Sequence, residues 1–121
     1  MSKNSQKRKG DKAEREAAAL LTELLKPHGL PPVRRALGAG RTNEAGGDVG
    51  DIVGVPGHAI QVKAWADERA AAVQGPKGAE DQARNADQPY AATMVRFRGG
   101  QWRVVLTPEQ FARYIAALYA I

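Results

Sequence analysis

A chain of 121 residues is long enough for one domain with a hydrophobic core and leaves little room for a second module. The absence of cysteine excludes disulfides, thiol catalysis and cysteine-ligated zinc. A net charge of +5 with a pI near 9.8 suits a polyanionic partner, and the basic residues are clustered along the chain.

Residues 1–10 read as a basic, flexible arm carrying Lys3, Lys7, Arg8 and Lys9, with Lys12 and Arg15 just beyond it. Asp11 to Lys26 is expected to be a helix, because Ala13, Ala17, Leu20, Leu21 and Leu24 recur at helical spacing. Pro27 and Gly29 end it. Glu14 falls at the border of the apolar stripe, beside Ala17 and Leu21, whereas Glu16 and Glu23 fall toward solvent. An acid at the core-facing edge can reach a neighbouring sheet, although a carboxylate near a helix start is also favoured by the macrodipole alone.

Pro31 to Leu37 reads as a short strand that starts extended. It carries Arg34 and Arg35. Gly38 to Gly50 is a long loop with five glycines, expected to border a nucleic-acid path, with Arg41, Thr42 and Asn43 as phosphate contacts ordered on binding. A passive surface connection is the competing reading. Asp48, following Gly46 and Gly47, has the sequence context of a turn former.

Asp51-Ile-Val-Gly-Val55, Pro56-Gly-His58 and Ala59-Ile-Gln-Val-Lys63 then read as two strands and a turn. A three-residue loop would set Val53 opposite Gln61 and Asp51 opposite Lys63. Asp51, Gln61 and Lys63 would share one face, while Ile52, Ile60 and Val62 would face the core. A carboxylate, an amide carbonyl and the Val62 backbone carbonyl are oxygen donors of the kind Mg²⁺ takes, and a lysine beside them suits phosphodiester hydrolysis. An ordinary amphipathic hairpin with charged ends competes with this reading.

Beyond Lys63, two helical stretches are expected, Ala64 to Val73 and Ala79 to Asp87, separated by Gly75-Pro76-Lys77-Gly78. Trp65 reads either as a base-stacking residue or as packing against the next helix. A hairpin follows, Ala91 to Arg98 and Gln101 to Leu106, with Arg96, Arg98 and Arg103 on it and Trp102, Val104 and Leu106 as its apolar face. Thr107 and Pro108 open a last helix as N-cap and first residue. Its stripe, Phe111, Ile115, Leu118 and Tyr119, is expected to pack in the core or to contribute to a dimer. His28 and His58 lie far apart and read as a helix-end and a turn residue, which disfavours a histidine-bound metal. No apolar run approaches membrane-spanning length and no signal-peptide core is present, so the expected compartment is the cytoplasm.

Three segments in this order, Arg8-Lys9-Gly10-Asp11-Lys12-Ala13-Glu14-Arg15-Glu16, Gly50-Asp51-Ile52-Val53 and Ile60-Gln61-Val62-Lys63, resemble the PD-(D/E)XK nuclease superfamily. Within it, the chain resembles the archaeal-type Holliday junction resolvases and their small relatives encoded by actinobacterial phages. The likeness runs from about Lys9 to the C-terminus and takes in Val33 to Leu37 and Trp102-Arg103. It implies an α/β fold with a central mixed β-sheet flanked by α-helices, a restriction-endonuclease-like core over residues 11–121. It also implies Mg²⁺ or Mn²⁺ as cofactor, branched DNA as substrate and a homodimer making paired cuts, in a host cytoplasm if the chain is phage-encoded.

Carried over by position, Glu14 becomes the helix-borne acid, Asp51 the principal metal ligand, Gln61 the second acidic position and Lys63 the catalytic lysine. Asp51, Gln61, the Val62 carbonyl and Glu14 would hold the metal, and Lys7, Arg8, Lys9, Lys12, Arg15, Arg34, Arg35 and Arg41 would meet DNA. Gln61 departs from the family's usual Glu or Asp: it offers an oxygen without negative charge, which Glu14, Asp48 or Glu44 would have to offset. Two other readings stay open, a nuclease of the same fold cutting duplex or flapped DNA, and a noncatalytic DNA-binding protein whose metal site has decayed.

Overall fold

The computed structural model describes residues 3–37, 42–44 and 47–120, with side chains from Gly10 onward. Helix α1 spans Lys3–Leu25 and passes through a 3-10 turn, Lys26–His28, that closes on Gly29 in the left-handed region at φ 79°. It therefore begins at Lys3 and not at Asp11. The basic segment expected as a flexible arm is a continuation of the helix, its Lys, Arg and Gln residues being good helix formers that outweigh Asn4, Ser5 and Gly10.

Five strands form one sheet in the order β1 (Arg34–Arg35), β2 (Ile52–Val53), β3 (His58–Lys63), β4 (Tyr90–Phe97) and β5 (Gln101–Val105). β3 and β4 run parallel and the other neighbours antiparallel, so the sheet is mixed. The parallel pair is joined by helix α2, Glu68–Asn85. Helix α3, Pro108–Tyr119, closes the described chain. The architecture is thus the expected α/β domain with a mixed sheet flanked by helices.

The two faces of the sheet bury different material. Under α1, Ala17 and Ala18 pack with Val33, Ile52, Ile60 and Met94, ringed by Leu20, Leu21, Leu25, Val55, Val62 and Trp102. The prediction that Ile52, Ile60 and Val62 face the core holds. Under α2 the cluster is Ala59, Ala79, Ala83 and Ala91, side chains so small that helix and sheet lie close together. A Cβ added at Gly75 would stand 2.5 Å from Thr93 Cγ2, and one added at Gly78 would overlap Gln61 Oε1.

That close approach explains why α2 is one helix and not two. Gly75-Pro76-Lys77-Gly78 reads locally as a break, yet Gly75 and Pro76 are buried inside a continuous helix. A proline within a helix costs about 3 kcal/mol. Here the cost is offset by packing against the sheet and by the Pro76 carbonyl, which accepts a 2.9 Å hydrogen bond from Gln110 Nε2 of α3. Asp67 caps the start of α2 by accepting from the Ala70 N–H.

The cap of α3 follows the sequence reading. Thr107 and Gln110 form a reciprocal capping box, with Pro108 in the first turn. Its apolar stripe does not pack in the core, the first of the two outcomes expected for it. Phe111, Ile115, Leu118 and Tyr119 are exposed, as is Val104 on β5, whereas Trp102 packs against the α1 core. β4 is buried at every position from Ala91 to Val95, because as an inner strand it is covered on both faces.

Candidate active site

The β2–β3 turn fixes the candidate site. The His58 N–H donates to the Val55 carbonyl at 3.2 Å, closing a β-turn with Pro56 and Gly57 in its centre, and Gly57 at φ 75° supplies the left-handed conformation that a type II turn needs. Gly54, at φ 106°, bends the chain into it. The loop is consequently longer than three residues, and Ile52 pairs with Ile60. Asp51 comes level with Gln61 and not with Lys63, a correction of two residues. An even slip leaves every side chain on its expected face.

Regular pairing ends at Ile52. The Asp51 N–H donates to the Ile60 carbonyl at 2.8 Å, and Asp51 Oδ2 accepts the Val62 N–H at 2.8 Å where a backbone carbonyl of β2 would otherwise stand. The buried Asp51 carboxylate therefore lies against the Gln61-Val62-Lys63 segment. In a strand, the N–H and C=O of one residue point to the same side. The Val62 carbonyl thus faces the β2 side as well.

Gln61 and Lys63 lie on the α2 face. Gln61 Oε1 is buried against Gly78 without a hydrogen-bond partner. Lys63 is half-buried, with Nζ 4.4 Å above the centre of the Trp65 ring. Trp65 is exposed and lines a cleft of about 350 Å³ together with Lys12, Glu16, Glu68, Arg96 and Arg98. It is not packed into the core.

Glu14 is tied to the strand edge through Arg35. It is buried on α1, and Arg35 Nε lies 3.3 Å from its carboxylate while the other arm of the same guanidinium holds Asp11 at 2.9 Å. Next to Arg35, the Ala36 N–H donates to the Asp51 carbonyl at 3.0 Å. Glu14, Arg35, β1 and Asp51 are therefore linked in sequence across the sheet edge. Arg35, expected on DNA, is turned inward by this pairing. Lys12, Arg15 and Arg34 are exposed, whereas the side chains of Lys7, Arg8 and Lys9 and all of Arg41 lie outside the described residues.

Glu16 does not fall toward solvent as its position on the wheel suggests. It accepts from Trp102 Nε1 at 3.2 Å and from Arg96 Nε at 3.3 Å. The indole hydrogen bond, and then the Arg96 guanidinium, hold its carboxyl below the usual glutamate range.

Sequence reasoning left a polar cluster at the C-terminal half of α2 outside the site. Gln82 is buried and donates from Nε2 to Asp48 Oδ2 at 3.1 Å, while Asp48 Oδ1 accepts the Gly50 N–H at 2.9 Å in an Asx turn. Asn85 donates to the Asp48 carbonyl at 2.8 Å and accepts from Asn43 Nδ2 at 3.0 Å. The described part of the 38–50 loop is thus pinned to α2, and Asn43 is engaged within the protein. Glu44 is exposed. The expected helix Ala79 to Asp87 contains Gln82 and Asn85, but nothing in the local sequence shows that Asp48 meets them.

Among the described residues, the buried side-chain oxygens without a partner are Gln61 Oε1, Gln82 Oε1 and Thr93 Oγ1. All three belong to the layer between α2 and the sheet. Among the same residues, no three His, Cys, Asp or Glu side chains converge. Any cation held here would rely on amide and backbone oxygens together with a carboxylate, and the chemistry of Gln61, whose side-chain oxygen has no partner, and of Asp51, bound to the next residue's N–H, fits that donor set. No family model, curated protein or solved structure matches the chain.

Proposed function

We propose that the protein is a metal-dependent DNA endonuclease that cuts four-way junctions. The observation that carries this reading is the placement of Asp51 Oδ2 on the Val62 N–H, between Gln61, whose side-chain oxygen has no partner, and Lys63 in the strand. Asp51, Gln61 and the Val62 carbonyl would hold Mg²⁺ or Mn²⁺, with Glu14 completing the acidic set from α1. Bound there, such an ion would polarise a phosphate oxygen and acidify water. Asp51 is kept in place by the Val62 N–H, and Arg35 fixes the position of Glu14. Lys63, resting on Trp65, supplies a positive charge to orient the attacking water or meet charge building on the phosphate.

Lys12, Arg15 and Arg34 are exposed cations on the two elements that carry Glu14 and its partner Arg35, where a DNA backbone crossing the site would meet them. The junction as substrate, and the pairing of two protomers to cut it symmetrically, come from the family resemblance. The test is cleavage of a labelled four-way junction beside matched linear and flapped DNA, with Mg²⁺, Mn²⁺ or EDTA. Metal-dependent paired cuts confined to the junction and lost in Asp51→Ala are expected. Equal cutting of all three substrates leaves a general nuclease of the same fold.

One observation favours a second reading. The position matching the family's second acid is a neutral amide, Gln61, which weakens the hold on a cation and suits a DNA-binding protein that no longer cuts. Tight junction binding without cleavage, and activity gained by Gln61→Glu, would support that reading.

A further inference from the structure

Separate elements meet at the cleft of about 350 Å³ beside Trp65. Helix α1 brings Lys12 and Glu16, the start of α2 brings Glu68, and the end of β4 with the turn after it brings Arg96 and Arg98. Trp65 stands on the connection between β3 and α2 and is 39% exposed. An indole left in water forfeits the gain that burial would bring. Along the cleft Ala13, Ala64 and Ala66 are small and take up little of the space.

The two carboxylates of the cleft are already engaged. Glu16 accepts from Trp102 and Arg96, and Glu68 Oε1 accepts the Arg98 backbone N–H at 2.7 Å. By contrast, the side chains of Lys12 and Arg98 are exposed and, among the described residues, make no hydrogen bond or ion pair. The cleft thus offers an aromatic surface and two uncommitted cations, while its acids are held by the fold. Lys63 takes one face of the indole, with Nζ 4.4 Å from the ring centre, and the opposite face is left for a second ring.

We propose that this cleft holds a single unstacked nucleotide, its base on the free face of Trp65 and its phosphate met by Lys12 and Arg98. Every base presents a π-face, so stacking on an indole accepts any of them. Free cations answer a phosphate and not a neutral ring, and the fork of a guanidinium matches phosphate oxygens. A volume near 350 Å³ lies at the low end of the range for small-ligand sites, about 300–1,000 Å³. That is room for one nucleotide and none for a duplex. Inside a duplex both faces of a base are covered by its neighbours, so only an unpaired or free nucleotide can reach the ring. A four-way junction is fully paired, so the site goes beyond the cleavage proposed above, and it needs no metal.

The test uses the full chain in EDTA, with thymidine 5′-phosphate, a short oligothymidylate and a fully paired duplex as probes. Tryptophan emission should be quenched by the oligothymidylate, and the quenching should vanish in Trp65→Leu, which keeps Trp102 as an internal control. Read by anisotropy of the labelled oligothymidylate, Trp65→Leu should weaken binding roughly fivefold or more, and so should Lys12→Ala combined with Arg98→Ala. Binding of the duplex should not respond to Trp65→Leu. All three positions are exposed, so the variants should keep the circular dichroism of the wild type. Quenching by thymidine 5′-phosphate as well would assign the cleft to a free nucleotide, and quenching by the oligothymidylate alone to a position in a strand; either upholds the site. Absence of binding by both would overturn it, as would binding indifferent to Trp65→Leu or an equal loss on the duplex. Asp51→Ala, which should abolish cleavage, should leave these readings unchanged, so failure of the nuclease reading and failure of this site are told apart.

Discussion

The face of the sheet beneath α1 is filled by branched and long aliphatic side chains around Ile52, Ile60 and Met94, whereas the face beneath α2 is lined by alanine, glycine and polar groups. On the first face, side-chain volume keeps helix and sheet apart and removes apolar area from water, which is the dominant source of stability. On the second, small residues bring the helix backbone nearly onto the strands. Polar side chains of the sheet are then buried against helix backbone, and Gln61 and Thr93 keep unpartnered oxygens there. One face supplies most of the hydrophobic stabilisation. The other confines Gln61 of the candidate site.

The largest expected effect follows from the first face. Ile52→Ala removes a fully buried side chain from the centre of the α1 cluster, and such truncations cost about 2–5 kcal/mol. Urea unfolding measures it. A loss below about 1 kcal/mol would mean that the α1 face is not where the stability resides.

The second face responds to added volume. In an ordinary helix Gly→Ala is stabilising by about 0.5–1 kcal/mol. At Gly75 the new methyl would meet Thr93 Cγ2 at 2.5 Å, on a β-branched side chain in a buried strand that has little freedom to turn. Overpacking of this kind costs about 1–3 kcal/mol. Gly75→Ala is therefore expected to destabilise, and a gain in stability would break the claim of close approach.

Gly78→Ala separates stability from the site. Its methyl meets the end of the Gln61 side chain, a flexible group that can move aside. Stability should stay within about 1 kcal/mol of the wild type, while the Gln61 oxygen is displaced. If Gln61 takes part in metal-dependent cleavage as proposed, cutting of the junction falls in this variant although folding does not. Unchanged cutting would remove Gln61 from the site.

The same contrast explains what could be read from the sequence. Period-two alternation assigned the faces of β2 and β3 correctly, because Ile52, Ile60 and Val62 are apolar and Asp51, Gln61 and Lys63 are not. It could not count the turn: Gly54 joins the Val55 to His58 turn and shifts the pairing by two residues without altering a face. For α2, Gly75-Pro76-Lys77-Gly78 carries strong local signals for a break, and only the contact with Thr93 and Gln61 reveals why glycines are wanted inside the helix. Gln82 and Asn85 were already legible as helical, on the stretch expected at Ala79 to Asp87, but no local signal shows that Asp48 and Asn43, distant in sequence, come to them. In α3 the stripe was legible, but periodicity reports that a helix has an apolar side and not which side meets the fold. Glu80, Pro76 and Tyr90, distant in sequence, decide that.

Acid should distinguish the two faces most gently. Glu16 ties α1 to Trp102 and Arg96, and Glu80 ties α2 to Arg113 and Gln110 of α3. Hydrogen bonds from Trp102 to the first and from Arg113 to the second lower both carboxyls from an ordinary value of 4.5. Arg113 is correspondingly raised and stays charged throughout. A carboxyl that is more acidic when folded contributes stability that is present above its unfolded value and is lost as the pH falls through its lowered folded value. The melting temperature should therefore hold from neutral pH down to about 5 and fall below about 4.5. The side chain of Glu80 is 24% exposed and that of Glu16 37%, so solvent screens the second more. Glu80→Gln should flatten the acid limb more than Glu16→Gln. The reverse order would mean that the junction of α2 with α3 is looser than the contact of α1 with the β4–β5 pair.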